Sequence, residues 1–252
     1  MAQAALRKQR KKTFDLASQE GFKLSRSKLE LFFECRRCFY FDRRLGIVRP
    51  PSYPYTLNSA VDRLLKKEFD FYRAQGITPP LLKENGINAI PFAHPQLEQW
   101  RNSLGGGIGH LHPATNFKVY GGIDDLWINE NKELIVVDYK STAKNGQVGI
   151  DDDWQISYKR QIEMYQWLFR QNGFKVSNTS YFVYCNADLS RQTFDKVLNF
   201  SITLLPYVGS NSWIETALRE AKECLTNSSA PANNNECKYC RYVEALASAE
   251  RV

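Results

Sequence analysis

VYGGIDDLWINENKELIVVDYKST, residues 119–142, is the stretch on which the fold turns. It reads as two strands, Val119–Ile128 and Leu134–Tyr139, joined by the polar, turn-prone Asn129-Glu130-Asn131-Lys132. The second strand is an almost unbroken apolar run, as expected where both faces of a sheet are covered. It ends in Asp138 and Lys140, which are two residues apart and therefore share a face. Pairing around the turn brings Asp124 of the first strand towards the same spot. Two acids and an amine at the end of a buried strand are costly unless they are paired or used.

The sequence around these residues is specific as a set. GGIDD is followed, fourteen residues on from Asp124, by the DYK of Asp138, Tyr139 and Lys140, after an apolar strand. This pattern resembles the core of the PD-(D/E)xK nucleases, and the Gly121-Gly122-Ile123-Asp124 context is similar to their RecB/AddB-like branch, which includes the CRISPR-associated RecB-like exonucleases. Three further segments carry the resemblance, which extends over roughly Lys23 to Tyr242. Gln161 and Tyr165, four apart on an expected helix Gln155–Asn172, resemble the Q-x-x-x-Y motif of that branch; without the acids they would read as an ordinary amphipathic pair. FKLSRSKLELFFECRRCFYFDRRLG, Phe22–Gly46, is similar to the N-terminal S-x-S…C element, with Cys35 at its cysteine and Arg36 where proline is usual. ECKYCRY, Glu236–Tyr242, resembles the C-terminal cysteine segment.

The resemblance implies an α/β fold with a restriction-endonuclease-like core: a central mixed β-sheet flanked by helices, its N- and C-terminal segments joined at a cysteine cluster. It implies a metal-dependent DNA nuclease using Mg²⁺ or Mn²⁺. Asp124 and Asp138 would be ligands, with Asp62 as a third where the family often has histidine, and the Tyr139 carbonyl as a fourth. Hard oxygen donors suit such cations. Lys140, Gln161 and Tyr165 would complete the catalytic set. The same resemblance implies a 4Fe–4S cluster on cysteines. Its usual third C-terminal cysteine is missing here, so Cys38 would complete a set of Cys35, Cys38, Cys237 and Cys240. Soft thiolates at C-x-x-C spacing suit Zn²⁺ equally well as a class, and an empty quartet is the third alternative.

Composition bounds the rest. The 252 residues suffice for one large domain. The net charge is +7, but five of those charges lie in Arg7-Lys8-Gln9-Arg10-Lys11-Lys12, which leaves the body near +2. Any nucleic-acid groove is then local. Residues 1–21 read as a basic flexible leader and 22–252 as a single nuclease domain, with 76–117 a loop-rich insertion and 228–252 a C-terminal cysteine segment. No apolar run is long enough to span a membrane and no secretory signal is evident, so an intracellular, cytoplasmic protein is expected. Six cysteines in that setting argue for a metal centre over a disulfide framework; Cys185 reads as core.

Other chemistries are excluded. The histidines His94, His110 and His112 lack H-E-x-x-H spacing, and Gly105–Gly109 lacks the Lys-Ser/Thr of a P-loop. That glycine run reads instead as a flexible joint or a loop near DNA. Without an ATPase motor, the expected partners are DNA, as single strands or duplex ends, and a helicase or integrase-type protein; the motifs leave the oligomeric state open. The alternative from another class is a catalytically silent subunit that keeps the fold and binds nucleic acid or acts as a scaffold. A third reading is a nuclease acting on RNA.

Overall fold

A computed structural model describes residues 13–51 and 55–250. The basic run Arg7–Lys12 and part of the proline-rich loop Pro50–Pro54 lie outside the described residues. The elements are β1 (Phe22–Ser25), α1 (Arg26–Glu34), α2 (Arg36–Tyr40), a π turn (Phe41–Leu45) and α3 (Thr56–Gln75). Next come α4 (Pro80–Glu84), β2 (Ala89–Pro91), α5 (Leu97–Arg101), β3 (Ile108–His112) and β4 (Phe117–Gly121). β5 (Asp125–Asn129), β6 (Leu134–Thr142), α6 (Ile156–Gln171), β7 (Thr179–Ala187) and β8 (Phe200–Val208) follow. α7 (Ile214–Thr226) and α8 (Lys238–Ala249) close the chain. The chain divides into two compact units.

One unit holds the described residues of Pro54–His110 and Gly121–Asn211. Its five-stranded sheet runs β2–β5–β6–β7–β8. The sheet is mixed: β6 pairs antiparallel with β5 and parallel with β7. β6 is central, and its first six residues are all buried, which is why its apolar run is unbroken. α3 covers one face, where Leu65 and Phe69 pack with Trp127, Ile135, Val137 and Tyr139. α6 packs against β6 as well. This is the expected α/β architecture, a curled mixed sheet flanked by helices.

The other unit holds the described residues of Met1–Tyr53, Leu111–Tyr120 and Ser212–Val252. Here β1 runs parallel to β4, in a three-stranded sheet ordered β1–β4–β3. α1 packs against α7. Phe14, Phe22 and Phe117 form an aromatic cluster with ring centroids 5.4–6.3 Å apart. The N- and C-terminal segments meet at four clustered cysteines.

Several boundaries differ from the sequence reading, each for a local reason. The expected strand Val119–Ile128 is two strands in different sheets, broken at Gly122-Ile123-Asp124. A Cβ on Gly122 would stand 2.7–2.8 Å from Ser103, and one on Gly107, at φ +56°, 1.9 Å from the Gly121 carbonyl oxygen. The glycine run is thus a close packing contact against the break, not a flexible joint. Phe22–Gly46 is a strand, two helices and a π turn; the helices are parted by extended backbone at Cys35, and Gly46 ends the segment at φ 74°. The sequence reads as a helix over Tyr55–Gln75 with Val61, Leu64, Leu65, Phe69 and Tyr72 on its apolar face; α3 forms there, but its buried residues are Leu65 and Phe69, and Leu64 is exposed. Phe194–Ile202 reads as a strand from the sequence, but the strand that forms is Phe200–Val208. It is an edge strand, where Pro206 is tolerated because no ladder donor is required. No helix among the described residues is long and apolar enough to cross a membrane.

Candidate active site and cysteine centre

The hairpin β5–β6 sets the geometry of the first site. Its register pairs Asp125 with Val137, so Asp124, just outside β5, falls opposite Asp138. The Tyr139 N–H donates to Asp124 Oδ2 at 2.9 Å. Lys140 Nζ makes an ionic contact with Asp138 Oδ2, though without hydrogen-bond alignment: both Asp138 oxygens are buried with no hydrogen-bond donor among the described residues. A fully buried carboxylate whose charge is met by one lysine is still costly to keep. Asp124, Asp138 and Lys140 are therefore together, as expected from the sequence.

α3 adds Asp62. It reaches this place through Lys66, whose Nζ lies 2.9 Å from Asp62 Oδ2 and 3.6 Å from Asp124 Oδ1. Asp62 and Lys66 are one turn apart and share a face. Asn58, another turn earlier, donates to the Ser141 carbonyl at 3.0 Å and fixes the start of α3 beside the end of β6. Burial, and then the Asp138 carboxylate, push the Asp124 carboxyl above its ordinary value; Lys140, Lys66 and the Tyr139 N–H pull the other way. Asp62, Asp124 and Asp138 offer hard oxygen donors of the kind that suits Mg²⁺ or Mn²⁺, but among the described residues only the cysteine quartet has its ligand atoms gathered closely enough to hold an ion, and Lys66 stands between Asp62 and Asp124.

Gln161 and Tyr165 of α6 touch one another, Nε2 to hydroxyl at 3.4 Å, and Tyr165 is buried. Tyr158 of α6 also reaches the acidic site, and sequence reasoning passed it over. Lys140 Nζ lies 4.3 Å from its ring centroid. Burial, and then Asp138, raise the Tyr158 hydroxyl pKa. Tyr158 stands three residues before Gln161, so an aromatic one turn ahead of the Q-x-x-x-Y pair was the available signal. Asp151 and Asp152, part of the acidic run, are occupied locally: Asp151 pairs with Lys159 at 2.8 Å and Asp152 caps the turn leading into α6.

A second group, also passed over, lies behind the hairpin. Asp125 is fully buried and takes ion pairs from Arg73 and Arg101, the latter at 3.0 Å. It also accepts from the Tyr139 hydroxyl at 2.8 Å. Arg101 Nε donates to the Asp124 carbonyl at 3.1 Å, and Nη1 reaches both Asp70 oxygens at 3.0 Å. Tyr139 thus presents its backbone N–H to Asp124 and its hydroxyl to Asp125. The signal was the doubled acid of GGIDD, whose two members must face opposite ways.

In the other unit the four sulfurs of Cys35, Cys38, Cys237 and Cys240 lie within 4.8 Å of one another, all buried. Cys35 is 3.6 Å from Cys240, and Cys38 is 3.7 Å from Cys237. All six cysteines are free thiols. The extended backbone at Cys35 makes it the N-cap of α2, where its Sγ accepts from the Cys38 N–H at 3.4 Å. Cys237 holds the N-cap position of α8. Burial, opposed by Arg49, carries the Cys38 thiol up to about 12. At Cys237 burial is outweighed by hydrogen bonds from the Cys240 and Tyr239 backbone and from Cys38, which bring its thiol down to about 7. Cys185 is in the core, as expected, and Cys224 lies apart, 3.8 Å from the Arg36 carbonyl oxygen.

Comparison with known proteins gives a family. The model of the PD-(D/E)XK nuclease superfamily matches residues 86–245. The matched span includes Asp124, Asp138, Lys140, Gln161, Tyr165, Cys237 and Cys240; Asp62, Cys35 and Cys38 precede it. No curated protein matches the chain. Among solved structures, that of a protein named SSO0001 is similar over 96% of this chain and 94% of its own, at 18% identity and a TM-score of 0.42, too distant to carry an argument.

Proposed function

Since the chain belongs to the PD-(D/E)XK nuclease superfamily, we propose that it is an intracellular, metal-dependent DNA nuclease of the RecB/AddB-like branch, acting as an exonuclease in DNA repair, recombination, phage or CRISPR-related processing. Residues 22–252 form one nuclease domain in this reading, with 76–117 as its insertion. The observation that carries it is Asp138: a fully buried carboxylate ion-paired with Lys140 and opposite Asp124. A fold keeps so costly a group where chemistry uses it.

Asp62, Asp124 and Asp138, with the Tyr139 carbonyl, would hold Mg²⁺ or Mn²⁺. When bound, such an ion would activate water for attack and offset charge on the phosphoryl oxygens. Lys140 keeps an ammonium beside Asp138, where it stabilises negative charge developing on the scissile phosphate. Tyr158, under that ammonium, limits the directions in which Lys140 swings. Gln161 would line the rim and contact DNA, with the buried Tyr165 hydroxyl behind it holding its amide in place. DNA is the polymer substrate, and a helicase or integrase-type protein is the partner expected to deliver it.

The catalytically silent reading has one observation in its favour. The Lys66 ammonium stands between Asp62 and Asp124, where it substitutes for a bound cation. One experiment separates the two. Purified protein, prepared without oxygen, is incubated with labelled single- and double-stranded DNA and Mg²⁺ or Mn²⁺, beside Lys140→Ala, with RNA as competitor. Cleavage that falls on the order of 10²-fold in the variant, about 3 kcal/mol in the barrier, supports the nuclease. Equal behaviour of the two proteins removes the catalytic assignment.

A further inference from the structure

We propose that Cys35, Cys38, Cys237 and Cys240 bind one zinc ion in a closed tetrahedral site, and that the quartet is too tight for a 4Fe–4S cluster. This rests on the quartet being a metal centre and is independent of the nuclease reading.

Size is the first argument. Four thiolates at about 2.3 Å from one zinc ion stand at the corners of a tetrahedron whose edge is about 3.8 Å. The contacts Cys35–Cys240 and Cys38–Cys237 are 3.6 and 3.7 Å, and no sulfur pair in the quartet exceeds 4.8 Å. A cubane places four irons and four sulfides between its outer thiolates and holds those thiolates roughly 6 Å apart. Accepting it would require every sulfur to move outward. The four side chains are buried, Cys35 at 1% exposure and the others at 9% or less, with Cys38 and Cys240 lining a neighbouring cavity.

Connectivity is the second argument. Each C-x-x-C segment opens a helix, with the first cysteine at the N-cap position. The first cysteine of each pair lies against the second of the other. Two such pairs make a closed four-ligand site with no open position, the structural type of zinc site.

Charge is the third. Four thiolates around Zn²⁺ leave a net charge of about −2, and the surroundings answer it with donors. The Cys38 N–H points at Cys35 Sγ at 3.4 Å. Arg49 Nη2 reaches Cys237 Sγ at 3.4 Å. The guanidinium is itself held by an ion pair with Glu34 and by the Tyr239 ring, 4.5 Å away. Donors around the ligands are what fixes thiolates on an ion.

The test uses the full chain, with its metal removed under anaerobic conditions. It is then offered Zn²⁺ together with Fe²⁺ and sulfide. Elemental analysis, acid-labile sulfide and native mass are read, and a Co²⁺-loaded sample supplies a spectrum. One zinc per chain without sulfide, and a tetrahedral cobalt–thiolate spectrum, is the expected result. Cys38→Ser should then hold zinc at least tenfold more weakly against a chelator. If that variant fails to fold, the stoichiometry and cobalt spectrum of the parent decide alone. Four irons with four sulfides, a lone iron, or no metal taken up would each overturn the proposal. DNA cleavage is scored separately: a zinc protein that leaves DNA intact defeats the nuclease reading only, and an active nuclease carrying a cluster defeats the zinc site only.

Discussion

Asp124 and Asp125 are adjacent and meet opposite surroundings. Asp125 is closed off by two arginines and a tyrosine, whereas Asp124 faces Asp138 and Lys66 and is 24% exposed at its side chain. Desolvation and Asp138 raise the Asp124 pKa, and the sign of its pH effect follows. Without metal, ionised Asp124 penalises the fold at any pH above its raised folded value. The penalty disappears as pH falls from there to the ordinary carboxylate value near ~4. This group therefore stabilises the metal-free protein on acidification. With Mn²⁺ present the dependence reverses, because the proton competes with the ion, costing up to about tenfold in affinity per pH unit below that folded value. Thermal melts across mildly acidic pH, with and without Mn²⁺, should diverge in slope, and Asp124→Asn should abolish the divergence. Parallel slopes in the parent would mean that Asp124 is not a ligand. Asp124, Asp138 and Lys140 were legible in the sequence because their spacing lies within one hairpin. Asp125 was not, because its arginine partners come from positions 73 and 101, which only tertiary packing brings together.

At the scale of elements, α3 and α5 act as splints for the hairpin. α3 delivers Asn58, Asp62, Lys66, Phe69 and Arg73 along one side, at helical spacing. Phe69 stacks on Trp127 with centroids 5.4 Å apart, and Arg73 pairs with Asp125. α5 delivers Arg101 to Asp125 and to the Asp124 carbonyl. Arg101→Ala leaves a fully buried carboxylate short of a partner and frees the Asp124 backbone. Loss of one member of a buried ion pair costs about 3–5 kcal/mol. The variant is expected to lose that much in denaturant unfolding; a loss under about 1 kcal/mol would show that Arg73 alone satisfies Asp125. Helices with long periodic stripes, such as α3 and α6, could be read from the sequence to within a residue or two. Strand ends could not. The break at Gly122 depends on the approach of Ser103 and Gly107, and the position of β8 depends on its being an edge, neither of which is local information.

For the whole molecule, the cysteine pairs join segments far apart in the chain: Cys38 and Cys237 are separated by 199 positions. The pairing of two C-x-x-C motifs was legible because sulfur spacing is a local signal. The tightness of the quartet was not, since it depends on the extended backbone at Cys35 and on the N-cap position of Cys237. A metal clip across so long a loop removes conformational freedom from the unfolded chain, and chain-entropy arithmetic for a cross-link of this span gives about 5 kcal/mol as an upper value. Stripping the quartet with a chelator that prefers soft ligands should therefore lower the melting temperature by many degrees. Added Mg²⁺ should not restore it, because thiolates are poor ligands for a hard ion. Added Zn²⁺ should. The carboxylate site predicts the converse, a shift on adding Mg²⁺ or Mn²⁺ that persists in the Cys38→Ser protein, since its ligands belong to the other compact unit. Calorimetry on the two proteins, with each ion in turn, checks both. If metal is shown to leave the quartet and the melting temperature does not move, the two chain ends are held by packing alone and the clip contributes nothing to stability.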